Sequence, residues 1–349
     1  MSPPLPQADL DLVLSLTPSF WSRYQGARLF ITGGTGFIGN WLVQTVQRAN
    51  DVLGSRIELI VLSRDPQRVQ NNHPSVFSRP DIQLIGGDIT SFPEPGGPLD
   101  LCIHAATDVA IAPQGQEALR LFDSIVTGTR RVLDIAQHKG VSRILLASSG
   151  AVYGVQPPDL LNIPETYAGA PSPQQLSAGY GHGKRAAEWL SCAHAAQSNL
   201  EITIARIFAL VGPGLPLNGP FAAGNFIRDA LSQAPILIQG DGRPIRSYLY
   251  MADLCVWLFR LLESGQSGEA YNVGSESSLS ILDLANQIAQ MAGTASPIEV
   301  LTPGNATSLA ARYVPDTSKA RQSLQLREYT PLQSALLKSL AWSRLTSPV

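Results

Sequence analysis

The sequence predicts an α/β fold: a doubly wound parallel sheet with a smaller, loop-rich C-terminal lobe. Three observations carry this. Short apolar runs alternate with stretches of helical periodicity, as strands buried on both faces and their crossover helices require. A glycine-rich turn from Gly33 to Gly39 joins the first such run to the first helical stretch. Beyond Phe208 the regular alternation gives way to clustered glycine and proline.

In chain order, residues 1–27 read as an N-terminal extension with a helical pattern from Ala8 to Leu16. The first strand is Arg28 to Thr32. After the glycine turn, Ile38, Trp41, Leu42, Thr45 and Val46 recur at helical spacing. Further strands follow at 57–62, 82–85, 99–103, 143–147 and 201–205, with helices at 116–138 and 182–197 between the later ones. Residues 28–208 therefore form the sheet domain, completed by parts of 251–275, where Ala270 to Val273 is strand-like. Residues 209–349 form mainly the lobe, with helical pieces at 225–233, 252–263 and 280–292.

Composition narrows the function. A chain of 349 residues corresponds to about two domains. Its formal charge of −2 gives no bulk attraction for a polyanion, which argues against nucleic acid as a partner. Hydrophobic residues at 44% and charged residues at 15% exclude a disordered chain. Glu58 and Arg260 interrupt the longest apolar runs well short of a membrane span, and Asp9 and Asp11 sit where a signal peptide would be apolar. Cys102, Cys192 and Cys255 are isolated and odd in number, so neither a disulfide frame nor a metal site is expected. These bounds lead us to expect a soluble, cytoplasmic protein.

Between a strand and a helix, Gly33, Gly36, Phe37, Ile38 and Gly39 have a mechanical reading. Glycines permit the tight turn, backbone approach to a pyrophosphate and close helix–strand packing, while the helix N-terminus offers free N–H groups. This points to a Rossmann-type dinucleotide site. The second strand ends in Ser63-Arg64-Asp65. Ser63 stands where an acid would hold the adenosine ribose of NAD, and Arg64 favours the extra phosphate of NADP. A shift of one residue would make Asp65 the ribose ligand, and Asp65-Pro66 also suits a helix cap. The balance leans to NADP.

Tyr180 and Lys184 lie four residues apart, on one face of a helix. A free phenol, with a pKa of about 10, is a poor base. A neighbouring ammonium and a cationic nicotinamide would both stabilise its phenolate. Ser149, at the end of another strand, is placed to orient a substrate hydroxyl.

With these motifs in sequence order, the chain resembles the extended short-chain dehydrogenase/reductases of the nucleotide-sugar epimerase/dehydratase family over about residues 28–330. Further matches are Gly87-Asp88-Ile89, similar to the adenine contact, and His104-Ala105-Ala106 after the fourth strand. Arg206-Ile207-Phe208, Gly240 to Gly242, Arg246 to Asp253, Tyr271 to Gly274, and Arg312 before Asp316 continue the series. The resemblance implies a nucleoside-diphosphate-sugar substrate whose diphosphate is held by Arg246 and Arg312 and contacted by Asn225. It also implies Ser149, Tyr180 and Lys184 as the catalytic set, and a homodimer formed through the helices at 116–138 and 182–197.

The sequence departs from that pattern where family dehydratases carry an Asp-Glu pair and decarboxylases typically a glutamate. Gly150 and Ala151 stand there, and neither transfers a proton. The remaining set suffices for reversible hydride transfer at a sugar carbinol carbon, so an epimerase or a keto-sugar reductase is expected. Dehydration or decarboxylation is the alternative. Reduction of a non-sugar carbonyl by NADPH and a non-catalytic dinucleotide-binding role are further ones. Ala209 and Ile125 replace asparagines usual in the family. His104 is expected to orient or pack beside the cofactor, His182 has no assigned role, and Trp41 and Trp189 are expected in helix packing.

Overall fold

The computed structural model describes residues 3–107, 115–302 and 310–346. Two helices open it, α1 (Gln7–Leu16) and α2 (Pro18–Arg23). The sheet unit follows as β1 (Arg28–Thr32), α3 (Phe37–Leu53), β2 (Glu58–Ser63), α4 (Pro66–Asn72), α5 (Pro74–Phe77), β3 (Ile82–Gly86) and β4 (Leu101–His104). It continues with α6 (Gln116–His138), β5 (Arg143–Ser149), α7 (Gly179–Gln197) and β6 (Glu201–Ile207). The rest is β7 (Leu210–Val211), α8 (Ala222–Leu231), β8 (Ile236–Ile238), β9 (Ile245–Ser247), β10 (Leu249–Tyr250), α9 (Met251–Ser264) and β11 (Ala270–Val273). After these come β12 (Ser278–Ser280), α10 (Ile281–Ala292), β13 (Ile298–Val300), β14 (Arg312–Tyr313), α11 (Ser318–Leu324) and α12 (Leu332–Thr346).

Seven parallel strands form the main sheet in the order β11-β6-β5-β4-β1-β2-β3. Their apolar runs are buried on both faces. Leu29, Ile31, Leu59 and Val61 pack on the side of α3 and α9, with Trp41, Val46 and Leu258. The alternate residues Phe30, Ile60, Cys102 and Ile144 face Val132 and Leu133 of α6 and Leu190 of α7. Each such aliphatic side chain contributes about 1.5–3 kcal/mol by leaving water. The order reverses between β1 and β4, and in open sheets the crevice at such a reversal, beyond the C-terminal strand ends, is where ligands bind.

The N-terminal extension is held firmly. Asp9 of α1 is buried, accepts a 2.6 Å hydrogen bond from the Tyr250 hydroxyl, and pairs with Lys338 of α12. Phe20 and Trp21 of α2 pack their rings on Phe259 of α9, 4.9 Å away in each case. Trp41 is fully buried as expected, and its indole N–H bonds the Pro213 carbonyl, 2.8 Å away, tying α3 to the Gly/Pro loop. Trp189 is a correction: it stands 69% exposed on α7 instead of packing within the chain. Helices α11 and α12 and the short lobe strands were not anticipated from sequence. Among the described residues no helix is long and apolar enough to cross a membrane.

Candidate active site

A cleft of about 1000 Å³ opens at the C-terminal strand ends. Its dinucleotide-like wall comes first in the chain. Gly33 has φ +73°, which only glycine adopts freely, and a Cβ there would lie 2.7 Å from the Ala105 backbone. A side chain at Gly39 would run into the Gly33 carbonyl oxygen. Helix α3 starts at Gly36 with no side-chain cap and no acid in its first turn, so its leading N–H groups face the cleft free for an anion. Backbone cradle and helix end together fit a pyrophosphate, which is the test a dinucleotide must pass here.

Ser63, Arg64, Asp88 and Ile89 line the same wall, as do Phe37, Ile38, Ala105 and Ala106. Asp65 caps α4 by accepting from the Arg68 N–H at 3.0 Å, so it serves the helix and leaves the rim to Arg64. The Asp88 carboxyl lies below its usual range because Thr90 donates to it through both hydroxyl and N–H, with Arg64 adding attraction. His104, expected beside the cofactor, lies behind the wall and does not line it. Its ring nitrogens meet the Thr32 hydroxyl at 2.7 Å and the Thr129 hydroxyl at 3.1 Å. Burial, with Lys184 nearby, pushes its pKa down to about 3, so it is a neutral packing and orienting group.

Ser149, Tyr180 and Lys184 are brought to one cleft from β5 and α7. Lys184 is buried, and its ammonium donates to the Thr107 hydroxyl and the Ala147 carbonyl, both at 2.7 Å. Burial lowers its pKa to about 8, which still leaves it largely charged at neutrality. The ammonium sits 5.9 Å from the Tyr180 ring centre. Burial raises the Tyr180 pKa, and the hydrogen bond with Ser149 opposes that rise. The Lys184 ammonium itself points to Thr107 and Ala147.

The opposite wall is formed by Ile207 to Leu210, Leu215, Pro216, the 218–222 loop, Arg246, Tyr248 and Tyr313. Of the expected diphosphate contacts, Arg246 lines the cleft, half-buried 5.7 Å over the Tyr313 ring; burial lowers its pKa. Arg312 and Asn225 do not line it. Successive strand residues face opposite sides, so β14 turns Tyr313 inward while the Arg312 guanidinium bonds the Leu161 carbonyl at 3.2 Å. Asn225 lies inside α8 rather than at its start, and its amide bonds the Gly219 carbonyl at 3.2 Å, holding the loop that does reach the cleft. Ile125 is buried between α6 and Gly183 of α7 as packing. His182 bonds the Ser172 carbonyl at 3.2 Å. Tyr313 and Tyr248 were not singled out from sequence; each adjoins or nearly adjoins an arginine that was, and strand alternation was the signal available.

The comparisons agree with this geometry. The family model for the NAD dependent epimerase/dehydratase family matches residues 29–274. UDP-glucuronic acid decarboxylase 1 of Arabidopsis thaliana is 30% identical over 315 residues, covering 88% of this chain and 68% of its own length. UDP-glucuronic acid decarboxylase 6 of the same plant is also 30% identical, covering 87% of each. Among solved structures, the dTDP-glucose 4,6-dehydratase of Streptomyces venezuelae with NAD bound superposes with a TM-score of 0.77 at 24% identity, covering 91% of this chain and 97% of that one. The UDP-glucuronic acid 4-epimerase of Bacillus cereus, in complex with UDP-glucuronic acid and NAD, gives 0.76 at 21%, covering 92% and 100%. With a glycine cradle at the sheet's reversal point and a family match spanning most of the chain, this protein belongs to the NAD-dependent epimerase/dehydratase family of nucleotide-sugar-modifying enzymes.

Proposed function

We propose that this chain transfers hydride reversibly at a carbinol carbon of a nucleoside-diphosphate sugar, as an epimerase or keto-sugar reductase. The observation that carries the reading is the pairing of a complete Ser149–Tyr180–Lys184 set with Gly150 and Ala151, where no acid or base follows the serine. A bound dinucleotide supplies the hydride acceptor. Tyr180 takes the carbinol proton, Ser149 orients the carbinol oxygen, and Lys184, anchored on Thr107 and Ala147, keeps a cation beside the phenol. The glycine cradle takes the pyrophosphate of the cofactor, and Arg246 the diphosphate of the sugar nucleotide. Arg64 beside the cleft supports NADP, whereas the structural neighbours named above carry NAD. The exposed Trp189 on α7 and Leu119 on α6 support dimerisation through these helices.

A second reading, decarboxylation of a nucleotide-linked uronic acid, draws on the Arabidopsis relatives. Oxidation beside a carboxylate-bearing carbon gives a β-keto acid, which loses carbon dioxide without an added base, so Gly150 does not forbid it. The purified chain incubated with NAD and, in parallel, UDP-glucuronic acid or UDP-glucose, with products separated by chromatography against epimer standards and weighed by mass spectrometry, decides between them. A product of unchanged mass and altered stereochemistry is expected. Loss of the mass of carbon dioxide establishes the second reading, and loss of the mass of water, a 4,6-dehydration product from UDP-glucose, overturns the role given to Gly150 and Ala151.

A further inference from the structure

The residue after Ser149 is a glycine that its backbone does not require. Gly150 opens the helical turn Gly150–Tyr153 after β5 without the positive φ that Gly33 has. Space requires it instead. A Cβ built on Gly150 would lie 2.6 Å from the Tyr313 hydroxyl oxygen, and 2.7 and 2.8 Å from two ring carbons of Phe208. Carbon contacts settle at about 3.5–4.0 Å, so both rings would have to move.

Neither ring moves cheaply. Phe208 is buried, its N–H bonds the Val273 carbonyl at 2.9 Å, and its ring lies 6.3 Å from that of Tyr153 and 4.6 Å from that of Tyr313. Tyr153 is itself fixed, its hydroxyl donating to Asn272 and accepting from Arg206, both at 2.8 Å. Tyr313 is held by its strand. β14 pairs with β9, and the next residue, Val314, is fully buried with its N–H on the Gln156 side chain at 3.0 Å. Phe208 and Tyr313 line the cleft beside Ser149 and Tyr180, whereas Gly150 does not.

We propose that Tyr313, backed by Phe208, is a specificity-determining residue: it occupies the volume that a side chain at residue 150 would need, and so keeps a proton-transferring group out of that position. Gly150 is then the partner of an aromatic pair as well as an absent carboxylate, and an acid restored there alone meets the two rings. The pair also makes this part of the cleft neutral, since burial holds the Tyr313 phenol above its ordinary value. The proposal rests on the reading that hydride transfer proceeds here without dehydration, and deepens it.

One arm of the test needs no turnover. Gly150→Ala should lower the thermal midpoint by about 2–6 °C through overpacking. In a Tyr313→Ala background, which vacates the phenol's space and lets Phe208 give way, the same change should cost less than about 1 °C. Equal losses in the two backgrounds overturn the proposal. The other arm reads the product. Gly150→Asp combined with Ala151→Glu, incubated with UDP-glucose and NAD, should show no loss of the mass of water by mass spectrometry, and adding Tyr313→Ala should let that loss appear. A two-residue variant that folds, by circular dichroism, only once Tyr313 is truncated gives the same answer. Water loss with Tyr313 in place overturns the proposal, and water loss from neither variant removes Tyr313 as the determinant. If the wild type itself loses water from UDP-glucose, the reading of its reaction fails, while the paired midpoints still decide whether Tyr313 closes residue 150.

Discussion

At the glycine-turn end of the cleft the recognising groups belong to the backbone: the turn at Gly33, the close approach at Gly39 and the uncapped N-terminus of α3. At the other end they are side chains delivered from four separate segments, namely Phe208, the 218–222 loop, Arg246 with Tyr248, and Tyr313. A site made of backbone needs particular residues at fixed short spacing, because a single Cβ blocks it. A site made of side chains needs only that distant strands bring the right groups together. The first end is therefore intolerant of substitution and invariant in its demands, whereas the second can be refitted residue by residue to a new sugar.

The sharpest way to break this contrast is Gly39→Val. The added side chain meets the Gly33 and Gly34 backbone, so dinucleotide affinity should fall by about 100-fold in a fluorescence titration, with the sheet still folded by circular dichroism. Affinity within a fewfold of wild type would show that the cradle has slack the geometry denies. A smaller effect refines the same end. On the proposal that Arg64 serves the extra phosphate of NADP, Arg64→Ala should weaken NADP binding by about tenfold and leave NAD nearly unchanged. Equal loss for both dinucleotides would place Arg64 on the pyrophosphate or the fold instead.

The same contrast explains what could be read from the sequence. The sheet was legible because strands buried on both faces must be continuous apolar runs, and the helix over Gln116–His138 because its apolar positions recur every turn. The cradle and the Tyr180–Lys184 pair were legible because each is a local spacing. Tyr313 was not. Strand β14 is two residues long, too short for alternation to announce itself, and its place in the cleft depends on pairing with β9 more than 60 residues earlier. Asn225 and Arg312 lie off the cleft lining for the same reason: proximity in sequence to a cleft residue does not say which way a side chain turns. His104 was assigned to the cofactor from its position after β4, yet two threonines on either side of its ring keep it in the layer behind.

The central claim is that the Tyr180 phenol moves the proton of a sugar carbinol while the backbone cradle holds the dinucleotide independently of it. The most direct test is Tyr180→Phe, measured for turnover of UDP-glucuronic acid and, separately, for dinucleotide affinity. The account predicts a fall in kcat of about 10²–10⁴-fold with affinity for the dinucleotide within a fewfold of wild type. Turnover that survives the loss of the phenol would contradict it.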